Sequence, residues 1–241
     1  MTEAERQRII RLKLCRLAGR PGAPPEAISS GFDAIDAVLG IGGFPRGRIV
    51  ELSGPEACGK TTLALRTIAG VQRRGGTAAL IDADRTFDPR RAAALGIHLE
   101  NLVMAAPEWG EQALEIARSL ASSGAVDLIV VDSAAALVPK LELETSLETI
   151  SPGLHAAVLL RALRKLAPAA ARTGACVVFL NQLRSAGAGE AAETTAGGRA
   201  LKAYAAVRAE LRPLASPGKV RFRVLKNKFA AAPAEAEVDI R

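Results

Sequence analysis

The stretch "GPEACGKTT", Gly54 to Thr62, carries the residue types and spacing in this 241-residue chain that point most directly to chemistry. It fits the pattern G-x-x-x-x-G-K-[ST], follows the apolar run "RIVEL" (48–52) and opens a helical pattern over 60–73. Successive backbone N–H groups at such a strand-to-helix bend form an anion cradle. Glycine at positions 54 and 59 keeps side chains out of the approach. Lys60 would reach the β- and γ-phosphates of a nucleoside triphosphate, and the Thr61 hydroxyl would ligate Mg²⁺. Pro55, Glu56, Ala57 and Cys58 form the loop between the glycines, and Thr62 follows it. Cys58 reads as a small loop residue, because its neighbours offer no nucleophilic apparatus. A second segment, "LIVVDS" (128–133), is an apolar strand ending in Asp132. It places a carboxylate at the C-terminal edge of a sheet, beside the loop, to hold the water shell of Mg²⁺. The two segments together predict binding of ATP or a close relative with Mg²⁺.

Positioning such residues takes a sheet covered on both faces. Strand patterns occur at 48–52, 77–83, 102–106, 126–132 and 176–182, several of them continuously apolar as parallel buried strands are. Helical patterns at 60–73, 90–95, 110–122 and 153–172 alternate with them. This predicts a doubly wound, mainly parallel α/β sheet. After Tyr204, "AVRAELRPL", "KVRFRVLKNK" and "AEAEVDI" alternate in the manner of an antiparallel extension. Residues 4–18 form a basic helical pattern, and "GRPGAPP" (19–25) reads as a linker. The expected organisation is a helix and linker over 1–25 and one core domain over 26–241.

Composition fits a single core. Apolar residues make up 49% and aromatics only 3%, so Leu, Val, Ile and Ala must fill it. The formal charge of +7 suits a polyanionic partner and says nothing of fold. Cys15, Cys58 and Cys176 lie far apart, without metal-ligand spacing, as reduced cytosolic thiols do. His98 and His155 lack partner ligands at metal spacing. No signal-peptide pattern and no membrane-length apolar run appears. A soluble, cytoplasmic protein is expected.

Beyond the phosphate loop, "GIGGFPRGRIVELSGPEACGKTTLAL", "GEQALEIA", "SGAVDLIVVDSAAALVPK", "ALRKL", "FLNQLR", "ETTAGG" and "VLKNK" resemble the ATPase core of the bacterial RecA recombinases, in order and in spacing. The resemblance covers about residues 28–240. It implies a RecA-like P-loop fold in which Lys60 and Thr61 bind the triphosphate and Mg²⁺, with Asp132 and Ser133 in support. It implies that Asp88 faces the adenine, and that Gln182 senses the γ-phosphate and couples it to the following DNA loop. It also implies that Lys226 and Lys228 reach the neighbouring protomer's nucleotide across a filament interface. Without the resemblance, "KNK" reads as a solvated strand end.

Several positions depart from the family. Its general-base glutamate is Asp84 here, shorter by one methylene or about 1.5 Å, which predicts slow hydrolysis. Its adenine-stacking tyrosine is Arg91, whose guanidinium can also stack. The first DNA loop (144–157) has Pro152 and Ala157 in place of a methionine wedge and an arginine. The second (184–198) lacks an inserted Phe and holds Glu190 and Glu193 with no base between Arg184 and Arg199. Arg184, Gly197, Gly198 and Arg199 are its remaining candidates for single-stranded DNA, so weak binding is expected. An interface phenylalanine is Ala203, and the family's small C-terminal domain is expected to be absent.

The N-terminal helix suits a solvated face, a partner-docking face through Ile9, Ile10 and Leu14, or a phosphate contact. Two functions fit. One is a RecA paralogue in DNA repair and the damage (SOS) response, joining or modulating filaments of itself or of a RecA, as the short ImuA-group proteins resemble. The other is an ATP-dependent recombinase that binds single-stranded DNA and exchanges strands. A small-molecule kinase is disfavoured, since no substrate lid is evident.

Overall fold

A computed structural model describes residues 25–146, 153–185 and 193–240, together with Thr2, Glu3 and Glu5. Most of the basic N-terminal pattern lies outside the described residues. So do 147–152 of the first loop, with Pro152, and 186–192 of the second, with Glu190.

Strands β1 (Ala27–Ile28) and β2 (Phe44–Pro45) form a small antiparallel ribbon around helix α1 (Asp33–Leu39). The main sheet follows, with β3 (Ile49–Gly54), α2 (Lys60–Arg73), β4 (Ala78–Asp82), α3 (Pro89–Ala94), β5 (Leu102–Ala105), α4 (Gly110–Ser123) and β6 (Leu128–Asp132). After α5 (Lys140–Glu144) come α6 (Leu154–Thr173), β7 (Cys176–Ser185), β8 (Glu193–Thr195) and α7 (Ala200–Tyr204). The last strands are β9 (Val207–Pro213), β10 (Lys219–Asn227) and β11 (Ala234–Asp239).

Strand order is β11-β10-β9-β3-β7-β6-β4-β5, with β8 hairpinned onto β7. Side chains alternate across the central strands and explain their unbroken apolar runs. Leu80, Leu128, Val130 and Leu180 pack on one face with α1 and α2, through Ile35, Leu39, Leu63 and Ile68. Ile81, Ile129, Val131 and Phe179 pack on the other with α4 and α6, through Leu114, Leu159, Leu163 and Leu166. Each strand buries both its odd and its even residues, so no polar position interrupts it.

One expectation needs correction. Strand β9 runs parallel to β3, with Val50 opposite Val207, and the antiparallel extension begins only at β10. Alternation in β9 and β10 reports that one face meets the core and the other meets solvent. It carries no information on strand direction. Among the described residues, no helix is long and apolar enough to cross a membrane.

Candidate nucleotide-binding site

The phosphate loop hangs between β3 and α2. Gly59 precedes the helix with φ of 90°, a left-handed backbone that L side chains rarely adopt. A Cβ there would lie 3.0 Å from the Ile240 side chain. At Gly54 a Cβ would meet the Leu211 carbonyl oxygen at 2.4 Å and Cys58 Sγ at 2.6 Å. Packing and backbone conformation within the protein by themselves demand glycine at both positions. The Lys60 ammonium folds back over the loop, donating to the carbonyl oxygens of Gly54 at 2.9 Å and Pro55 at 2.6 Å.

Opposite the loop, the end of β6 brings a carboxylate to the first turn of α2. Thr61 Oγ1 donates to Asp132 Oδ2 at 2.9 Å. Burial pushes the Asp132 carboxyl up to about 6, helped by the nearby charges of Asp84 and Asp82 and opposed by the Thr61 hydrogen bond and by Lys60. Asp84 Oδ1 accepts from the backbone N–H and the hydroxyl of Ser133. Gln182 lies directly across the parallel pairing of β7 and β3 from Gly54, which sets it beside the loop.

Asp82 escaped the reading of the sequence. It is buried, stands opposite Asp132 in the pairing of β4 with β6, and accepts the N–H groups of Thr86 and Phe87 at 3.1 Å each. Its signal was the strand-terminal carboxylate of "IDAD", two residues before Asp84.

Arg91 borders the cleft, and Asp88 stands three residues before it. Asp88 caps α3, its Oδ1 accepting from the backbone N–H of Arg90 at 2.8 Å and of Arg91 at 3.3 Å. Arg91 Nη2 donates to Thr62 Oγ1. The resulting cavity, about 510 Å³, is lined by Lys60, Thr61, Thr62 and Arg91, by the loop residues 57–59, and by Leu95 and Ile240. Neither aliphatic residue was legible as part of the site.

The remaining candidates lie apart from this cavity. Lys226 Nζ donates to the Lys202 carbonyl at 2.8 Å, at the end of α7. Burial lowers its pKa, as do the positive charges of Lys228 and Arg208. Neither Lys226 nor Lys228 lines the cavity of Lys60. Gly197, Gly198 and Arg199 form the turn before α7, both glycines with positive φ. Gly197 is buried, and a Cβ on it would lie 2.5 Å from Leu159 Cδ1, so packing against α6 explains that glycine. The backbone of Arg184 pairs with Thr194, while its side chain lies outside the described residues. Ala203 is exposed.

Beneath the site runs a buried polar chain that the sequence did not announce. Glu51, fully buried in β3, accepts from Arg208 Nε and from Asn181 Nδ2, the latter at 2.9 Å. Asn181 Nδ2 also donates to the Ala196 carbonyl at 3.0 Å, and its Oδ1 accepts the Gln182 N–H at 2.9 Å. These bonds tie the phosphate-loop strand to the turn holding Gly197 and Gly198.

Comparison with known proteins agrees with this geometry. The RecA N-terminal domain model matches residues 8–241. The chain is 46% identical over 238 residues to Protein RecA of Acidothermus cellulolyticus, covering 94% of this chain and 69% of that one. Against Protein RecA of Thermus thermophilus it is 48% identical over 236 residues, with 93% and 69% covered. Against that of Brevibacillus brevis it is 51% identical over 223 residues, with 88% and 63% covered. The chain thus spans about two thirds of the length of these relatives. With a phosphate loop on a doubly wound sheet and a match that runs through nearly every element of it, the chain belongs to the RecA family.

Proposed function

We propose that this chain binds ATP with Mg²⁺ in the Lys60–Thr61 cleft and acts in bacterial DNA repair and recombination as a paralogue that joins or modulates RecA filaments. The observation that carries nucleotide binding is the convergence of the Lys60 ammonium, the Thr61 hydroxyl and the Asp132 carboxylate beside a glycine-lined helix start. Hydroxyl and carboxylate oxygens suit a hard cation. No group of three or more His, Cys, Asp or Glu residues among those described is arranged as a metal cage, so phosphate oxygens and water would complete the shell. A divalent cation would also relieve the crowding of Asp82, Asp84 and Asp132. When bound, Mg²⁺ neutralises and orients the phosphates.

Hydrolysis is slow in this proposal, because Asp84 is short and one of its oxygens is turned to Ser133. Single-stranded DNA is held weakly through Arg184, Gly197, Gly198 and Arg199, with Gln182 coupling nucleotide to that loop. Lys226 and Lys228 serve a neighbouring protomer's nucleotide, which fits their distance from the chain's own cavity. The relatives named above are bacterial, which supports a bacterial cytoplasmic setting.

A second role, recombinase in its own right, is favoured by the 46–51% identity to proteins named RecA. ATP turnover with and without single-stranded DNA, repeated with a full-length RecA, separates the two. Strong stimulation by DNA alone overturns the modulator role. A change in RecA turnover without such stimulation supports it.

A further inference from the structure

One buried side chain is bonded at once to the phosphate-loop strand, to the backbone of Gln182 and to the turn at Gly197 and Gly198. Asn181 is fully buried near the end of β7, two residues on from Phe179 and so on the sheet face that packs with α6 and α7. Its Nδ2 donates to Glu51 Oε1 at 2.9 Å and to the Ala196 carbonyl at 3.0 Å, while its Oδ1 accepts the Gln182 N–H at 2.9 Å. A side-chain amide has two donor hydrogens, and both are used. Glu51 is itself fixed by Arg208, which faces it across the pairing of β3 with β9. The amide of Asn181 cannot turn without leaving a buried polar group unmet.

The turn has few other polar ties to the sheet. Before it, β8 pairs with β7 over residues 193–195 alone, and the buried Thr195 hydroxyl has no partner among the described residues. After it, Lys226 reaches back to the Lys202 carbonyl in α7. The two glycines have no side chains with which to anchor themselves, and Asn181 grips the carbonyl directly before them. At its other end the same side chain is bonded to the residue opposite Gly54, where the phosphate loop begins. A phosphate that draws in Gln182 or shifts the end of β3 therefore moves a group bonded to Asn181. In a close-packed interior that movement reaches Ala196.

We propose that Asn181 is a positioning residue: nucleotide at the phosphate loop sets the Gly197–Gly198 turn through the bond from Asn181 to the Ala196 carbonyl. This rests on the nucleotide-binding function proposed above and adds the route by which that site regulates the turn.

The test is hydrogen exchange of peptides covering residues 193–204 in the whole chain, with Mg²⁺ alone and with Mg·ATP, beside calorimetry of Mg·ATP binding. In the wild type Mg·ATP is expected to slow exchange there at least about fivefold. Asn181→Ala removes both donors, and is expected to bind Mg·ATP within about fivefold of the wild type while the slowing disappears. Asn181→Asp combined with Glu51→Gln is the more stringent variant. It exchanges donor for acceptor between the two positions and keeps one carboxylate near Arg208 and an acceptor for the Gln182 N–H, but it has no donor for the Ala196 carbonyl. Its melting temperature should exceed that of Asn181→Asp alone, in which two carboxylates meet, yet its turn should not respond to Mg·ATP. A role in stability alone would be restored by the second substitution, and this variant decides the matter if Asn181→Ala does not fold.

Exchange that is the same with and without bound Mg·ATP in the wild type overturns the inference and leaves nucleotide binding standing. A response that persists in either variant also overturns it and passes the route to the pairing of β7 with β8. Loss of Mg·ATP binding by folded Asn181→Ala makes Asn181 a support of the phosphate loop itself, and overturns the inference too. Failure of the wild type to bind Mg·ATP overturns the nucleotide-binding function and this inference with it.

Discussion

Asp84 Oδ1 lies 3.1 Å from Ser133 Oγ and 3.2 Å from Ser133 N, and it accepts a hydrogen from each. The carboxylate proposed above to activate water is therefore held back against the end of β6 as well as being short. Lengthening it by one methylene should restore reach. Asp84→Glu is expected to raise steady-state ATP turnover about 10- to 100-fold, measured by phosphate release. Asp84→Asn should fall below the wild type. Equal rates for wild type and Asp84→Glu would remove the physical basis for slow hydrolysis.

In the proposed function Lys60 holds the triphosphate and Thr61 the metal. Lys60→Ala should weaken Mg·ATP binding by about 10- to 100-fold, the value of a hydrogen bond to a charged group. Thr61→Val should abolish most of the gain in affinity that Mg²⁺ confers. Calorimetry in Mg²⁺ and in a chelator reads both effects.

Glu51 is fully buried and its partner Arg208 is 15% exposed on its side chain. Removing one member of a buried pair strands the other. Glu51→Ala should cost about 3–5 kcal/mol of stability in urea unfolding. Glu51→Gln keeps the shape and one acceptor, and should cost less. A loss below 1 kcal/mol for Glu51→Ala would mean that Arg208 swings out to water at little cost.

Neighbouring glycines 197 and 198 should respond differently to alanine. Gly197 has φ of 81° and a methyl there would meet Leu159 at 2.5 Å, whereas the nearest atom to a methyl on Gly198 lies at 3.3 Å. Gly197→Ala combines backbone strain with a clash and should lose about 1–3 kcal/mol or more. Gly198→Ala bears mainly the strain and should lose about 1 kcal/mol. Thermal melts of the two variants give the comparison.

Acid should weaken the fold through Asp127. Burial alone would raise its pKa, but the Thr77 N–H and the Arg46 guanidinium outweigh burial and hold it below the ordinary carboxylate value. A depressed folded-state pKa contributes stability that is present above the unfolded value, about 3.9, and is lost as pH falls through the folded one. Asp127→Asn should accordingly be less stable than the wild type at neutral pH. The two stability curves should converge below about pH 3.9.

Local patterns along the chain were enough to locate the phosphate loop, the long helices and the central strands. These depend on neighbours in the chain: a glycine with left-handed backbone before Lys60, a 14-residue helix after it, and apolar runs that need cover on both faces. Family membership was legible for the same reason, since its motifs are short and contiguous. The direction of β9 was not, because alternation records which face is wet and is blind to the partner strand. Asp82 opposite Asp132, Arg91 on Thr62, Ile240 against Gly59 and Glu51 between Arg208 and Asn181 were likewise decided by the tertiary structure alone. Each joins residues 29 to 181 positions apart in the chain. Such meetings follow from strand order and register, which periodicity along one segment does not encode.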